Sequence, residues 1–147
     1  MDKIIYHSMS LRCEPPRAFE MFTLKEHLEQ WLTELADIEP RVGGKYELFW
    51  NPRDKQNDST IGCKVLAIQS GKLLSFEWKG PKQFKHFMNE ARPLTSVAVF
   101  FLPEGDHTEV HLLHTGWRDA ADWEEAREWF DRVWLDALKK LQKYASG

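Results

Sequence analysis

The sequence predicts an α+β fold in which an antiparallel sheet carries its helices on one face. Three observations lead to this prediction: short alternating segments separated by turn residues, two short helical patterns near the start, and one long amphipathic pattern at the end. A length of 147 residues is typical of one domain, and we expect residues 1–147 to form a single domain. Hydrophobic residues make up 42% and charged residues 29%, a globular composition.

The first third of the chain predicts one strand followed by two short helices. Residues 3–11 alternate between two faces, and Pro15 with Pro16 suits the first turn of a helix. Apolar residues then recur at helical spacing across residues 23–26 and as far as Leu32. We expect two short helices here, not one.

The middle of the chain predicts a series of strands joined by short turns. Paired glycines at Gly43 and Gly44 mark a tight turn before the first of them. The predicted strands cover residues 45–50, 60–68, 73–79, 95–102 and 108–115. Because short turns connect antiparallel neighbours, we expect one antiparallel sheet of about six to seven strands.

Residues 80–93 form an insertion that is longer than a hairpin loop needs. It carries Phe84, Phe87 and Met88 among basic residues. Long loops are often functional, and flexible apolar side chains adapt to varied ligands, so these three could cover the mouth of a cavity. The alternative is a small satellite cluster packed under the loop. The sequence leaves both interpretations open.

The last segment predicts one long amphipathic helix. Apolar residues recur at steps of three and four from Trp123 to Tyr144. Asp119 is a plausible N-cap, and Glu124 and Glu125 lie where the helix dipole favours negative charge. This helix supplies the apolar stripe that can cover the sheet.

Several segments, in their order and spacing, resemble a known family. They are residues 19–31, 38–44, 62–68, 74–78 and 108–117, followed by Trp134, Leu138, Leu141 and Tyr144 on the last helix. Together they resemble the homologues of the activator of heat-shock-protein-90 ATPase, within the START-like (SRPBCC) helix-grip superfamily. The resemblance implies a curved antiparallel sheet that grips the C-terminal helix, with a cavity between them. Members of this superfamily include lipid carriers, hormone receptors, polyketide cyclases and chaperone co-factors, so the fold alone does not select a function.

Strand alternation and the last helix together give a predicted cavity lining. The residues expected to line the cavity and bind a ligand are Trp31, Tyr46, Leu48, Phe76, Trp78, Val99, Leu112, His114, Trp117, Phe130 and Trp134. The alternative for most of them is ordinary core packing. His114 is the polar member of an apolar row. It could orient a ligand carbonyl or move a proton, or it could be a buried histidine satisfied by its neighbours. In either case, we expect burial to oppose its protonation.

The sequence predicts neither a metal site nor a cofactor, and we assign no catalytic residue. His111 and His114 have the spacing of a metal pair, but an odd separation on a strand points them to opposite faces. The net charge of −3 gives no reason to expect nucleic acid as a partner, and no apolar stretch approaches the ~20 residues of a membrane helix. Residues 1–11 do not resemble a secretory signal, so we expect a cytoplasmic protein.

Three functions remain open. The leading hypothesis is a protein that binds an apolar or amphipathic small molecule, as a monomer or weak dimer, because aromatic residues dominate the predicted cavity. The first alternative, implied by the resemblance, is a chaperone-associated interaction module. The second is an enzyme resembling cyclases or hydratases that uses His114 and a tyrosine such as Tyr46. Because no nucleophile or phosphate-binding motif is present, we favour binding over catalysis.

Overall fold

The computed structural model describes residues 3–146. Its helices and strands follow in the order β1 (Ile5–Leu11), α1 (Pro15–Thr23), α2 (Lys25–Trp31), β2 (Leu35–Ile38), β3 (Tyr46–Phe49), β4 (Val65–Gln69), β5 (Leu73–Glu77), α3 (Lys85–Met88), β6 (Ser96–Glu104), β7 (His107–Thr115) and α4 (Ala121–Ser146). The two short helices and the long final helix are confirmed.

The strands form two antiparallel sheets that are joined at one edge. Five strands pair in the order β1-β7-β6-β5-β4, and β2 pairs with β3. Backbone hydrogen bonds connect β3 to the start of β4: Tyr46 N donates to Cys63 O at 2.9 Å, and Val65 N donates to Gly44 O at 2.9 Å. The α+β helix-grip architecture is therefore confirmed, with its strands divided between two sheets.

Helix α4 covers the apolar face of the five-stranded sheet. Its buried residues recur at helical spacing and are Trp123, Ala126, Phe130, Trp134, Ala137, Leu138 and Leu141. Polar contacts align it along β1: His7 Nε2 lies 2.9 Å from Asp131 Oδ1, and Gln142 Nε2 donates to Ser10 O at 3.0 Å. Within residues 3–146, no helix is long and apolar enough to cross a membrane.

Helices α1 and α2 remain separate because Leu24 between them is extended, with φ −95° and ψ 127°. Leu24 N donates to Glu20 O at 2.9 Å, which ends α1, and α2 begins at the next residue. Helix α1 begins with proline, which has no backbone N–H. Proline is tolerated there because the N–H groups of the first turn have no partner within the helix. The two helices therefore meet at an angle set by one extended residue.

Three of the differences from the sequence predictions have a clear local cause. The strand predicted from residue 60 begins only at Val65, because Gly62 has φ +86° and Cys63 N donates to Thr60 O to close a turn. Strand β2 was not predicted, since four residues offer too little alternation to detect. Helix α4 begins at Ala121, where Glu124 N donates to Ala120 O, and not directly after Asp119.

Candidate functional site

An open cavity of about 420 Å³ lies against the middle of α4. Its walls come from α4, from the end of α2, and from the two loop regions at residues 50–59 and 78–83. Five tryptophans line it: Trp31, Trp50, Trp78, Trp129 and Trp134. The size falls within the range of small-molecule pockets, and the lining is predominantly apolar with a few polar groups.

Of the residues predicted to line a cavity, Trp31, Trp78, Phe130 and Trp134 do line this one. The remaining members of the predicted set lie away from it, and five of them are completely buried side chains in the core: Tyr46, Leu48, Phe76, Val99 and Leu112. The structure thus brings four of the predicted aromatic residues together at the cavity, and places most of the others inside packed protein.

The packed part of the row is held by ring stacking and a buried hydrogen bond. Tyr46 stacks on Phe76 with ring centroids 3.9 Å apart and an interplanar angle of 14°. The hydroxyl of Tyr46 donates to Phe22 O at 2.6 Å. Burial raises the pKa of Tyr46, so the phenol stays protonated and acts as a structural donor.

His114 is fully buried behind the cavity, as expected from its place in the apolar row. The indole Nε1–H of Trp134 donates to its Nδ1 at 3.1 Å. Because an indole nitrogen can only donate, Nδ1 must be unprotonated, so Nε2 carries the hydrogen and donates to Thr95 Oγ1 at 3.0 Å. Desolvation lowers the pKa of His114 to about 3, which keeps the ring neutral.

The neutral imidazole therefore has a positioning role for Trp134, one of the rings that line the cavity. Trp117 is half-buried on the other side, with its ring centroid 4.6 Å from that of His114 and its Nε1 donating to His114 O at 3.0 Å. His111 points to the opposite face of the sheet, where Nδ1 lies 2.7 Å from Tyr6 Oη. Within residues 3–146, no group of three potential metal ligands comes together.

The insertion after β5 packs against α4 as an aromatic cluster. Phe84 and Met88 are buried, and Phe84 meets Trp129 at 5.6 Å between ring centroids. Phe87 is half-buried and meets Trp123 at 5.1 Å. None of these three residues lines the cavity; Phe84 contacts Trp129, which does, and Gly80, Pro81 and Gln83 form the wall on this side.

Gly80 permits this close packing of the insertion. A Cβ atom at this position would lie 2.7 Å from Met88 Sδ and 3.2 Å from Phe84 Cβ. Its backbone N–H donates to Asn89 Oδ1 at 2.8 Å, which ties the two ends of the cluster together.

The indole N–H groups around the cavity differ in their partners. Trp31 Nε1 donates to Met21 O at 2.9 Å, Trp50 Nε1 donates to Leu32 O at 2.8 Å, and Trp134 Nε1 donates to His114. Trp78 Nε1 is buried and has no acceptor within residues 3–146. Trp78, which lines the cavity, therefore carries a buried donor that the described protein does not satisfy.

Charged side chains of both signs surround the apolar floor. Lys79 Nζ donates to Ile61 O at 2.6 Å, and Asp58 Oδ1 accepts from Lys82 N at 2.8 Å. Asp136 and Lys140 are exposed on the α4 side. Opposite charges on the rim give the site a polar boundary without a strong net charge.

The predicted lining did not include Trp50, Trp129 or Val133, although Trp50 lies on the predicted strand 45–50 and on the same face as Tyr46 and Leu48. Trp50 continues the alternation of β3 but lies just beyond its last residue, where a side chain can leave the sheet face. Trp129 and Val133 are four residues apart on α4, beside the buried Phe130. A wider apolar stripe on the helix was the signal that could have identified them.

A sheet gripping a long C-terminal helix, with an open aromatic cavity against the helix, defines a helix-grip protein. Residues 12–146 match the family described as "Activator of Hsp90 ATPase homolog 1-like protein", and the chain belongs to this family. No curated protein sequence matches it.

Solved structures with the same fold include three with similar coverage of both chains. Protein MLL2253 from Mesorhizobium loti has a TM-score of 0.76 at 21% identity, covering 96% of this chain and 95% of that one. PFC0360w, an HSP90 activator from Plasmodium falciparum, has a TM-score of 0.74 at 20% identity, covering 97% and 96%. The Aha1 dimer from Colwellia psychrerythraea has a TM-score of 0.71 at 17% identity, covering 95% and 93%. At these identities, the similarity shows the fold alone.

Proposed function

We propose that this protein binds an apolar or amphipathic small molecule in the cavity between α4 and the loops after β3 and β5. The observation that supports this most is an open cavity of about 420 Å³ that is lined by five tryptophans and is predominantly apolar. Apolar surface that borders an open cavity is exposed to water, so a ligand that covers this surface gains the favourable free energy of its burial.

The distribution of polarity favours an amphipathic guest. The floor consists of buried rings such as Trp78, Phe130 and Trp134. The rim carries the charged groups of Asp136 and Lys140. The apolar body of such a ligand would be buried against the rings, and its polar end would stay among the solvated charges of the rim.

The test uses two probes, pyrene and palmitate, titrated into the protein while tryptophan emission is recorded. Saturable quenching by pyrene is expected, since its absorption overlaps tryptophan emission and the cavity rings are near. Either probe, once bound, should also raise the melting temperature, because a ligand that binds only the native state stabilises it by mass action.

A matched pair of variants on α4 makes this test specific to the cavity. Val133→Trp places a large ring in the cavity and should abolish binding, whereas Leu135→Trp adds the same ring at an exposed position outside it and should not. The proposal fails if neither probe gives a saturable signal with the parent protein, or if both variants bind equally well.

The structure offers little support for the cyclase-like alternative. His114 and Tyr46 are completely buried, and the polar atoms of both side chains have partners in the protein. A general acid or base must come within hydrogen-bond reach of the substrate. Neither residue lines the cavity, so neither is placed to exchange a proton with a molecule bound there.

A chaperone-associated role is the second candidate, supported by the family match and by the HSP90 activator among the structural neighbours. If it applies, adding the purified protein to a purified Hsp90 should raise the rate of ATP hydrolysis in proportion to its concentration. Heat-unfolded protein is the control, and an unchanged rate at saturating concentrations would exclude direct activation of that chaperone.

A further inference from the structure

The buried donor on Trp78 distinguishes one wall of the cavity. The side chain is only 2% exposed, yet its Nε1–H has no acceptor within residues 3–146. Buried polar groups in folded proteins almost always have a partner, so an unpaired one calls for a specific explanation. Trp31, Trp50 and Trp134 line the same cavity and each have an acceptor, and the Nε1 of Trp129 is not among the buried unpaired atoms. Among the cavity indoles, the buried unpaired donor therefore belongs to Trp78.

The surroundings of Trp78 are almost entirely aromatic. Its ring centroid lies 5.0 Å from that of Trp134, 5.9 Å from Trp50 and 6.2 Å from Phe130, and the last two are edge-to-face contacts. Flat, polarisable surfaces of this kind match a planar apolar ligand. A guest inserted here would contact ring surfaces on several sides and meet a single buried hydrogen-bond donor.

We propose that the ligand of this cavity is a planar apolar molecule with a neutral carbonyl-type oxygen, which accepts the hydrogen bond from Trp78 Nε1. This inference rests on the proposed function and specifies its ligand class. Because the nitrogen is covered in the empty protein, the ligand reaches it by shifting a neighbouring ring as it enters.

A neutral oxygen fits this position better than a carboxylate. Desolvating a charged group among aromatic rings is costly unless a counter-charge is close. Two cations lie on the rim: Lys79, whose Nζ donates to Ile61 O at 2.6 Å, and Lys140, which is exposed to solvent. The rim also contains the carboxylates of Asp58 and Asp136, which would repel an anionic ligand. A single indole N–H can satisfy a ketone or amide oxygen, but it cannot neutralise a charge.

The test compares fluorenone with fluorene, which share their planar ring system and differ in one carbonyl oxygen. Dissociation constants are measured by tryptophan quenching for the parent protein, Trp78→Phe and Trp50→Phe. If the carbonyl pairs with Trp78, the parent should bind fluorenone about tenfold or more tightly than fluorene. Without that hydrogen bond, the polar ketone should bind no better than the hydrocarbon, because it loses more hydration on entering an apolar site.

The two variants test whether the preference for fluorenone over fluorene depends on Trp78. Trp78→Phe removes the unpaired donor, so the ratio of the two dissociation constants should fall to about one, whatever the change in ring size does to both ligands. Trp50→Phe removes a donor that already has an acceptor in Leu32 O, so the ratio should stay near the parent value even if both affinities drop.

The indole ¹⁵N–¹H NMR signal of Trp78 in the parent protein gives an independent measurement should Trp78→Phe fail to fold. It should move downfield with fluorenone and much less with fluorene. Equal affinities for the two compounds, or an unchanged ratio in Trp78→Phe, would overturn the carbonyl inference and leave the proposed function intact. If neither of these compounds binds, and neither pyrene nor palmitate binds, both the carbonyl inference and the proposed function are wrong.

Discussion

The space between the sheet and α4 has two halves that are built from similar residues in different ways. In the closed half, Tyr46 stacks on Phe76, and every polar atom of His114 and Tyr46 has a partner. In the open half, Trp78 has an unpaired donor and the rings border an open cavity. Aromatic content therefore does not distinguish the core from the candidate binding site. The two halves differ in whether their polar atoms have partners and whether their side chains are closely packed.

The difference follows from what supplies the walls. The closed half is built on paired strands, where Leu74, Val99 and Leu112 are neighbours in register across β5, β6 and β7. Regular pairing fixes the spacing of side chains, so they fill a common layer. Part of the wall of the open half is formed by residues 50–59 and 78–83, which lie outside the strands. Irregular backbone does not place side chains in such regular layers.

Removing α4 should have the largest effect, because both halves depend on it. A chain that ends at Gly116 loses the buried faces of Phe130, Trp134 and Leu138, each of which contributes several kcal/mol to the core. We expect the shortened chain to show neither dispersed amide NMR signals nor a cooperative thermal transition, in contrast to the full chain. Cooperative unfolding of the shortened chain would show that the sheet and the first two helices form a core without α4.

Acidification should weaken the closed half through His114. Its pKa is about 3 in the folded protein and about 6.5 in an unfolded chain. Between these values, the unfolded state binds more protons, so stability present above pH 6.5 is lost as the pH falls toward 3. The difference corresponds to roughly 4–5 kcal/mol of unfolding free energy.

The measurement is chemical denaturation at several pH values with His114→Gln as the reference. The variant lacks the titrating ring, so its unfolding free energy should decrease less steeply than that of the parent between pH 6.5 and 4. NMR of the parent should show a neutral His114 ring at pH 5. Parallel pH profiles for the two proteins would mean that His114 is protonated in the folded state as easily as in the unfolded one.

The sequence predicted which side chains face α4, but it did not predict which of them are packed core and which line the cavity. Alternation along β5, β6 and β7 identified residues such as Phe76, Val99 and His114, because strand periodicity fixes which face a side chain occupies. Alternation also reaches Trp78, which lies just beyond β5, but no comparable rule covers residues 79–83 or the position of Trp129 on α4. The sequence also gives no sign that Trp78 Nε1 lacks an acceptor, since that depends on three-dimensional neighbours.

The smallest expected effects come from a pair of substitutions that each remove one hydrogen bond to a backbone carbonyl. Tyr46→Phe deletes the buried hydroxyl that donates to Phe22 O in the closed half. Trp50→Phe deletes the N–H that donates to Leu32 O at the exposed edge of the open half, where Trp50 is 38% exposed. The chemistry removed is similar, so the pair isolates the effect of the surroundings.

Tyr46→Phe should lower the unfolding free energy by about 1–3 kcal/mol, because the carbonyl of Phe22 is left without its partner in a site that water does not reach. Trp50→Phe should cost less than about 1 kcal/mol, since water can replace the lost partner, but it should weaken pyrene binding severalfold by removing part of an aromatic wall. We therefore expect the two variants to rank in opposite order in the two measurements. Tyr46→Phe should have the lower unfolding free energy, and Trp50→Phe should have the weaker affinity for pyrene. If the same variant is worse in both measurements, the two halves are not separate in function, and the cavity behaves as an extension of the core.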